Sequence, residues 1–357
     1  MEEKNKLKFC SRCVLNGSVQ ELILDSNGVC NFCFQALKAL AEIEKEKPNF
    51  GKRIEQIKKD GQGKKYDVLC GISGGVDSST ALHHAVRLGL RPLCFSVDNG
   101  WNDPRADSNI LNLVETLKVP FYRYTIDLRK FKELQAAFIK AGVPNIEIPT
   151  DAVLLATSLE MASKYRIRWI VSGGNVATEQ YIPSSWGHNA RDLAHTKAIY
   201  KQFIGKNLEG LPLCGLWKWN LYRWRDRIKN FYILDYLDYN RTESEKMLIE
   251  KYNFKSTGLK HEESVFTKWH INYYLYEKFG FDKRKCFYSS LINVGQMTRE
   301  EAMELLKTPP IYPKLGIEQK IMKYPKREHS EFKTDKWYGR IAKIINLWKY
   351  TGIIRQV

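Results

Sequence analysis

Two groups of residues have the types and spacing that chemistry requires. The first is a cysteine quartet: Cys10 and Cys13 form one C-x2-C pair, and Cys30 and Cys33 form a second after 16 intervening residues. Each pair can set two thiolates on one tight turn. Two such turns supply four soft ligands to a tetrahedral zinc ion and leave no position open, so the metal would be structural rather than catalytic. Spacing alone does not name the metal, and an iron–sulfur cluster is the rival. The second group is Ser73-Gly74-Gly75-Val76-Asp77-Ser78-Ser79. The glycines let the backbone turn tightly toward an anion, and a helix starting there would aim free N–H groups at it. Ser73, Ser78 and Ser79 add hydroxyl donors. The turn has no lysine and fits neither GxxxxGK[ST] nor GxGxxG. An acidic Asp77 inside an anion loop makes sense where a divalent cation bridges it to phosphate oxygens; otherwise it is a helix-capping residue.

Elements that would position these groups can be read from the surrounding pattern. Short apolar runs at 66–72, 92–97, 121–126 and 168–171 alternate with helical periodicity at 77–88, 104–117, 131–141 and 151–164. That alternation is the mark of a parallel sheet covered on both faces, an α/β fold of the doubly wound kind. The Ser73–Ser79 turn follows the first strand. Asp98 ends the second, and Ser172-Gly173-Gly174-Asn175-Val176-Ala177-Thr178-Glu179 follows the fourth. Ligands bind at the carboxyl ends of such strands, so all three places face one crevice. Glu179 is a candidate metal ligand or substrate-orienting acid there, or else a first-turn helix acid. Asp151 is a weaker candidate, with capping of the next helix as the alternative. After Gly205 the alternation fades, and 242–251, 264–279, 298–307 and 335–349 have a helical pattern.

The sequence has 357 residues, 43% of them hydrophobic, and a net charge of +17. That composition excludes wholesale disorder. No apolar run approaches the ~20 residues of a membrane span, and the N-terminus lacks the apolar core of a secretory signal. A cytoplasmic location is therefore expected. Residues 241–357 hold 23 basic against 14 acidic side chains, over half of the net charge. Such a surface attracts phosphates, nucleic acid or acidic partners, or simply keeps the protein soluble.

SGGVDSS resembles the pyrophosphate-loop (PP-loop) signature of the N-type ATP pyrophosphatases, whose fold is of the adenine nucleotide alpha hydrolase-like type. The whole combination is similar to the N-acetyl sugar amidotransferases of surface-polysaccharide, O-antigen lipopolysaccharide and flagellin-sugar pathways. It comprises the cysteine quartet, SGGVDSS, Ser172–Glu179, and the late block Lys283-Arg284-Lys285-Cys286-Phe287-Tyr288-Ser289-Ser290-Leu291-Ile292 through Gly295-Gln296-Met297-Thr298-Arg299-Glu300. The resemblance implies that Ser73, Gly74, Gly75, Asp77, Ser78 and Ser79 hold ATP phosphates and Mg2+, and that Asp98 meets the adenosine. It implies AMP transfer to the carbonyl oxygen of an acetamido sugar, free or nucleotide-linked, followed by displacement of AMP by ammonia to give an acetamidino group. Asp77, Glu179, Lys283 and Arg284 are the expected catalytic residues. Lys283 and Arg284 would form a second phosphate clamp, with surface charge the equal alternative.

The organisation expected is a zinc ribbon at 1–45, a helical linker at 46–65, a PP-loop domain at 66–235 and a mostly helical substrate or partner region at 236–357. His83 and His84 fall on the helix after the loop as packing or surface residues. His188 and His195 have no fixed role. Trp217, Trp219 and Trp224 suit core packing, stacking on a sugar, or docking. Cys70 and Cys94 lie in strands, Cys214 and Cys286 are isolated, and no segment of domain size is left for a glutaminase. Ammonia is thus expected from a separate glutaminase–synthase pair, as the resemblance also implies. The competing reading on the same fold is tRNA thiolation, weakened by the lack of a central C-x2-C pair to carry sulfur. Nucleic acid is therefore an unlikely partner. An ATP-binding adaptor is weaker still, because the loop keeps Asp77 and its serines.

Overall fold

The computed structural model describes residues 8–181 and 183–335. The expected helix at 335–349 lies, beyond Asp335, outside the described residues. The chain opens with the cysteine turns, then α1 (Asn31–Glu46), a 3-10 turn at Lys47–Asn49 around Pro48, and α2 (Phe50–Gly61). The alternating region follows: β1 (Val68–Gly71), α3 (Val76–Arg87), β2 (Pro92–Asp98), α4 (Pro104–Leu117), β3 (Phe121–Thr125), α5 (Leu128–Ala141), α6 (Ile148–Lys164) and β4 (Trp169–Ser172). Then come α7 (Leu193–Ile204), α8 (Leu216–Arg225) and β5 (Lys229–Tyr232). The remainder is helical: α9 (Arg241–Tyr252), α10 (Val265–Trp269) running into a π-helix at His270–Phe279, α11 (Lys283–Asn293), α12 (Arg299–Leu305) and α13 (Glu318–Met322).

All strand pairs are parallel, in the order β3-β2-β1-β4-β5. Alternate residues of β1 supply two separate cores, as strand geometry requires. Val68 and Cys70 pack with α2, α3, α4 and α9 on one face. Leu69 packs on the other with side chains of α5, α6 and α8. The order reverses between β1 and β4, so the carboxyl ends of those neighbours frame the crevice characteristic of doubly wound sheets. Strand β5 is the one that sequence pattern missed: only Phe231 of Lys-Asn-Phe-Tyr is buried, and the apolar run at 231–234 begins halfway along the strand.

Two glycines bring the crevice loops together. Gly74 has φ +77°, and a Cβ there would stand 2.2 Å from the carbonyl oxygen of Ala106 in α4. A Cβ on Gly173 would stand 2.6 Å from the backbone nitrogen of Ser78. The turn after β1 is thus wedged between α4 and the loop after β4. Gly74→Ala is expected to cost at least about 2 kcal/mol, from the left-handed backbone and from displacing α4. Thermal unfolding checks this, and a Tm equal to that of the parent protein would refute the wedge.

Candidate active site

The turn after β1 has the form of an anion cradle. Gly75 precedes α3 with no side-chain cap, which leaves the first-turn N–H groups of that helix to a ligand. Ser73 Oγ and Ser78 Oγ lie 3.1 Å apart, and Ser78 Oγ accepts from the Ser73 N–H at 3.2 Å. Ser73 Oγ also donates to Glu263 Oε1 at 2.9 Å, so a carboxylate reaches into the cradle from the segment before α10. Ser79 is buried, and its hydroxyl has no hydrogen-bond partner among the described residues. Asp98 closes β2 on the neighbouring strand and accepts from the Gly100 N–H at 3.1 Å.

Asp77, in the first turn of α3, is the centre of a charged cluster. It accepts from Tyr239 Oη, Lys260 Nζ, Asn175 Nδ2 (3.2 Å) and Thr178 Oγ1 (3.4 Å). Lys260 also bonds Thr178 Oγ1 at 2.8 Å and pairs with Glu179 at 2.9 Å, while His261 Nε2 stands 3.8 Å from Glu179. Burial pushes both carboxyls up, but the Lys260 ammonium outweighs it and holds Asp77 and Glu179 below the usual carboxylate range. Burial would lower the Lys260 ammonium, but the two carboxylates raise it instead. His261 is lowered by burial and by Lys260. Two hard carboxylates converging on one cation form a donor set that fits Mg2+, with Lys260 supplying that charge here. Gln296, from the late block, steadies the cluster by donating to the Tyr239 carbonyl at 2.7 Å.

Sequence reasoning missed Lys260, Tyr239 and Glu263. Lys260-His261-Glu262-Glu263 reads as a solvated charge run, and its only signal is the apolar Val265-Phe266 that follows. Asn175 and Thr178 sat unremarked inside the Ser172–Glu179 motif.

The four cysteines come together. All are buried, and their sulfurs lie within 4.8 Å of one another, with Cys10–Cys33 and Cys13–Cys30 each at 3.8 Å. A tetrahedron with Zn–S bonds of about 2.3 Å has edges of ~3.8 Å, whereas a disulfide needs ~2.05 Å. The residues fit a thiolate-bound zinc ion. The quartet is not a separate appendage. Arg299 donates to the carbonyls of Cys13 (3.1 Å) and Cys10 (3.3 Å), and the Val14 N–H donates to Ser289 Oγ (3.3 Å) on α11. Tyr181 Oη lies 3.1 Å from Cys33 Sγ and accepts from Asn293 Nδ2. Asn293 in turn donates to Gln180 Oε1 at 3.0 Å and accepts from Arg12 Nε at 2.9 Å. The loop that ends in Glu179 is therefore pinned, one and two residues later, to the cysteine module and α11.

Lys283 and Arg284 part company. Arg284 is buried in a forked pair with Asp282 (2.7 and 3.0 Å) and donates to the Thr308 carbonyl at 2.8 Å. Its guanidinium is committed to holding α11 against the segment after α12, which corrects its assignment as a phosphate clamp. Lys283 opens α11 and acts on a second acidic pair. Burial pushes Glu147 up to about 7 and Asp151 up to about 6, and Lys283 partly offsets both. Glu147 accepts from Thr267 Oγ1 at 2.6 Å. His83 is buried against Tyr252 Oη at 2.5 Å, a packing role. His188 bonds Asp192 at 3.0 Å and stacks on His195, which contacts His329 at 3.2 Å, so these histidines pack together under the C-terminal segment. Burial pushes the thiols of Cys94 and Cys286 up to about 12 and that of Cys214 up to about 11; Cys70 is raised as well.

Replacing Lys260 with Met should leave two buried carboxylates without a counter-charge and cost about 3–5 kcal/mol at pH 7. In the parent protein both carboxyls are held low, so their contribution is complete above about pH 4 and lost as pH falls through the lowered values. In Lys260→Met burial raises them, so the Tm deficit should narrow from pH 7 to pH 5. A pH-independent deficit would contradict the cluster. Elemental analysis should find one zinc per chain. Tyr181→Phe should keep that zinc but release it to a chelator about tenfold faster. Iron, or no metal, in the parent protein would overturn the zinc assignment.

Residues 263–345 match the family described as LPS biosynthesis protein WbpG-like, C-terminal domain. An uncharacterized protein of Methanocaldococcus jannaschii is 31% identical over 139 residues, 37% of this chain and 47% of its own length. The chain thus spans about half the length of that curated relative. Among solved structures, NMN synthetase from Francisella tularensis overlaps 64% of this chain and 92% of its own, at 16% identity and a TM-score of 0.31. The NH3-dependent NAD synthetase from Campylobacter jejuni overlaps 59% and 93%, at 14% identity and a TM-score of 0.30. Residues 263–345, which follow the parallel sheet and the SGGVDSS turn, are thus similar to the C-terminal domain of WbpG-like LPS biosynthesis proteins.

Proposed function

We propose that the chain is an ATP-dependent amidotransferase acting on an N-acetyl sugar, free or nucleotide-linked. The observation that carries this reading is the Asp77–Lys260–Glu179 cluster at the lip of the anion cradle, in the crevice between β1 and β4. Ser73, Ser78 and the open first turn of α3 bind the ATP phosphates, and Asp98 meets the adenosine. Asp77 and Glu179 would hold Mg2+, which supplies neutralising charge to the phosphates when bound. The acetamido oxygen attacks the α-phosphorus and the bond to pyrophosphate breaks. Lys260 stabilises the charge that develops on that leaving group. The product is an O-adenylyl imidate. Ammonia adds to its carbon, the C–O bond breaks, and AMP departs to leave the acetamidino group. Glu147 and Asp151, raised into the range where carboxyls exchange protons near neutrality, suit the removal of a proton from ammonium or the adduct; Lys283 faces them from α11.

A sulfur-carrying role has less support. It needs an accessible thiolate, whereas every cysteine outside the quartet is buried with its thiol raised. Ammonia in this reading comes from a separate glutaminase–synthase pair.

The test is mass spectrometry of the purified chain with Mg-ATP, ammonium and N-acetyl sugars or their nucleotide conjugates. AMP and pyrophosphate should form together with a product about one mass unit lighter, since NH replaces O. Glutamine should substitute for ammonium only when the glutaminase pair is added. Asp77→Asn should retain the fold and lower pyrophosphate release by at least about 100-fold. Pyrophosphate release that never yields amidine, or unchanged turnover in Asp77→Asn, would falsify the proposal.

A further inference from the structure

Helix α8 is apolar on two faces, which a surface helix ordinarily is not. Leu216, Trp219 and Tyr222 are buried, and Trp219 and Tyr222 pack in the core on the sheet face opposite α3. The guanidinium groups of Arg191 and Arg223 both lie over the Trp219 ring, at 4.7 and 4.8 Å. The opposite side carries Trp217, Leu221 and Trp224, which are 84%, 49% and 91% exposed. Their spacing of i, i+4 and i+7 makes one stripe along the helix. The helix therefore divides its tryptophans, with one in the core and two in water.

The surroundings of the stripe are basic. Residues 216–229 hold five basic side chains, Lys218, Arg223, Arg225, Arg227 and Lys229, against the single acid Asp226. Arg225 binds Asp226 at 2.7 Å and reaches Ser163 Oγ at 3.4 Å, which brings the end of α6, with exposed Lys164 and Arg166, alongside. Lys218 pairs with Glu160 at 2.7 Å.

We infer that α8 docks the protein onto an anionic lipid surface, with Trp217, Leu221 and Trp224 entering the headgroup region and the basic rim facing the lipid phosphates. Two considerations favour lipid over a protein partner. Two indoles contribute roughly 300–500 Å², well short of the ~800 Å² per side that a stable protein interface needs. A bilayer accepts such a projecting ridge because its interface is soft. Indole also has a polar N–H and an apolar body, which suits the headgroup boundary, and adjacent lysine and arginine add attraction to anionic lipid. This inference does not depend on the reaction proposed above.

The full chain is mixed with phosphatidylcholine vesicles, with or without phosphatidylglycerol, and sedimented. It should pellet with the phosphatidylglycerol vesicles, less so as salt rises, and brominated lipid should quench part of its tryptophan emission. Trp217→Ala with Trp224→Ala should weaken pelleting by at least about tenfold and remove the quenching, with circular dichroism and Tm unchanged. Arg225→Gln with Arg227→Gln should weaken pelleting chiefly at low salt. Failure to pellet with phosphatidylglycerol vesicles, or pelleting indifferent to the tryptophan pair, overturns the inference. So does saturable binding of the stripe to an acidic protein with no affinity for vesicles.

Discussion

The site depends on one ammonium group. Lys260 stands between Asp77 and Glu179, which come from the turns after β1 and β4 on the two sides of the strand-order reversal. Two carboxylates that close, in a buried place, would repel each other and each resist ionisation. With the lysine between them both stay charged, and the two turns are drawn together. The backbone contact of Gly173 with Ser78 and the hydroxyl of Tyr239 depend on the same approach. The arrangement also presents negative charge beside a phosphate cradle, a combination tolerable only with positive charge between them.

The cysteine module acts on this centre at one remove. Tyr181 and Gln180 follow Glu179 directly, and both are held by groups of the module or of α11. A metal at the cysteines would set the geometry of those turns, and that order would pass to the loop through hydrogen bonds of ordinary length. The late Gly295–Glu300 block has the same character. Gln296 holds Tyr239 and Arg299 holds the cysteine turns, so these residues bear on the cluster through others.

Much of the scaffold was legible because its signals are local. Four apolar runs, the glycine-serine turn and the paired cysteines each declare themselves within a few residues. What escaped detection is set by long-range packing. Strand β5 forms because β4 offers it an edge, although its first two residues are polar. Lys260 meets Asp77 across 183 positions of sequence, and nothing local distinguishes it from a solvated lysine. Arg284 looked like a phosphate ligand because it stands in a basic run; Asp282, two residues earlier, claims it. The tryptophan triplet was ambiguous for the related reason that a helix can spend one indole on the core and leave others outside.

The docking of the cysteine turns on α11 has a consequence for biosynthesis. Val14 and its partner Ser289 are separated by 275 positions, as are the other contacts between the first and last thirds of the chain in similar measure. At ordinary translation rates the N-terminal segment waits about 15–55 s for its partner helix to be made. During that interval the thiols have no α11 to cover them. Early metal capture would then protect the nascent chain from oxidation and mispairing, and would deliver a preformed surface to which the last helices add. Completion of the crevice becomes a late event, coming only after α11 has been made, so that a chain truncated before α11 would have the sheet and the cradle but a loose Glu179 loop.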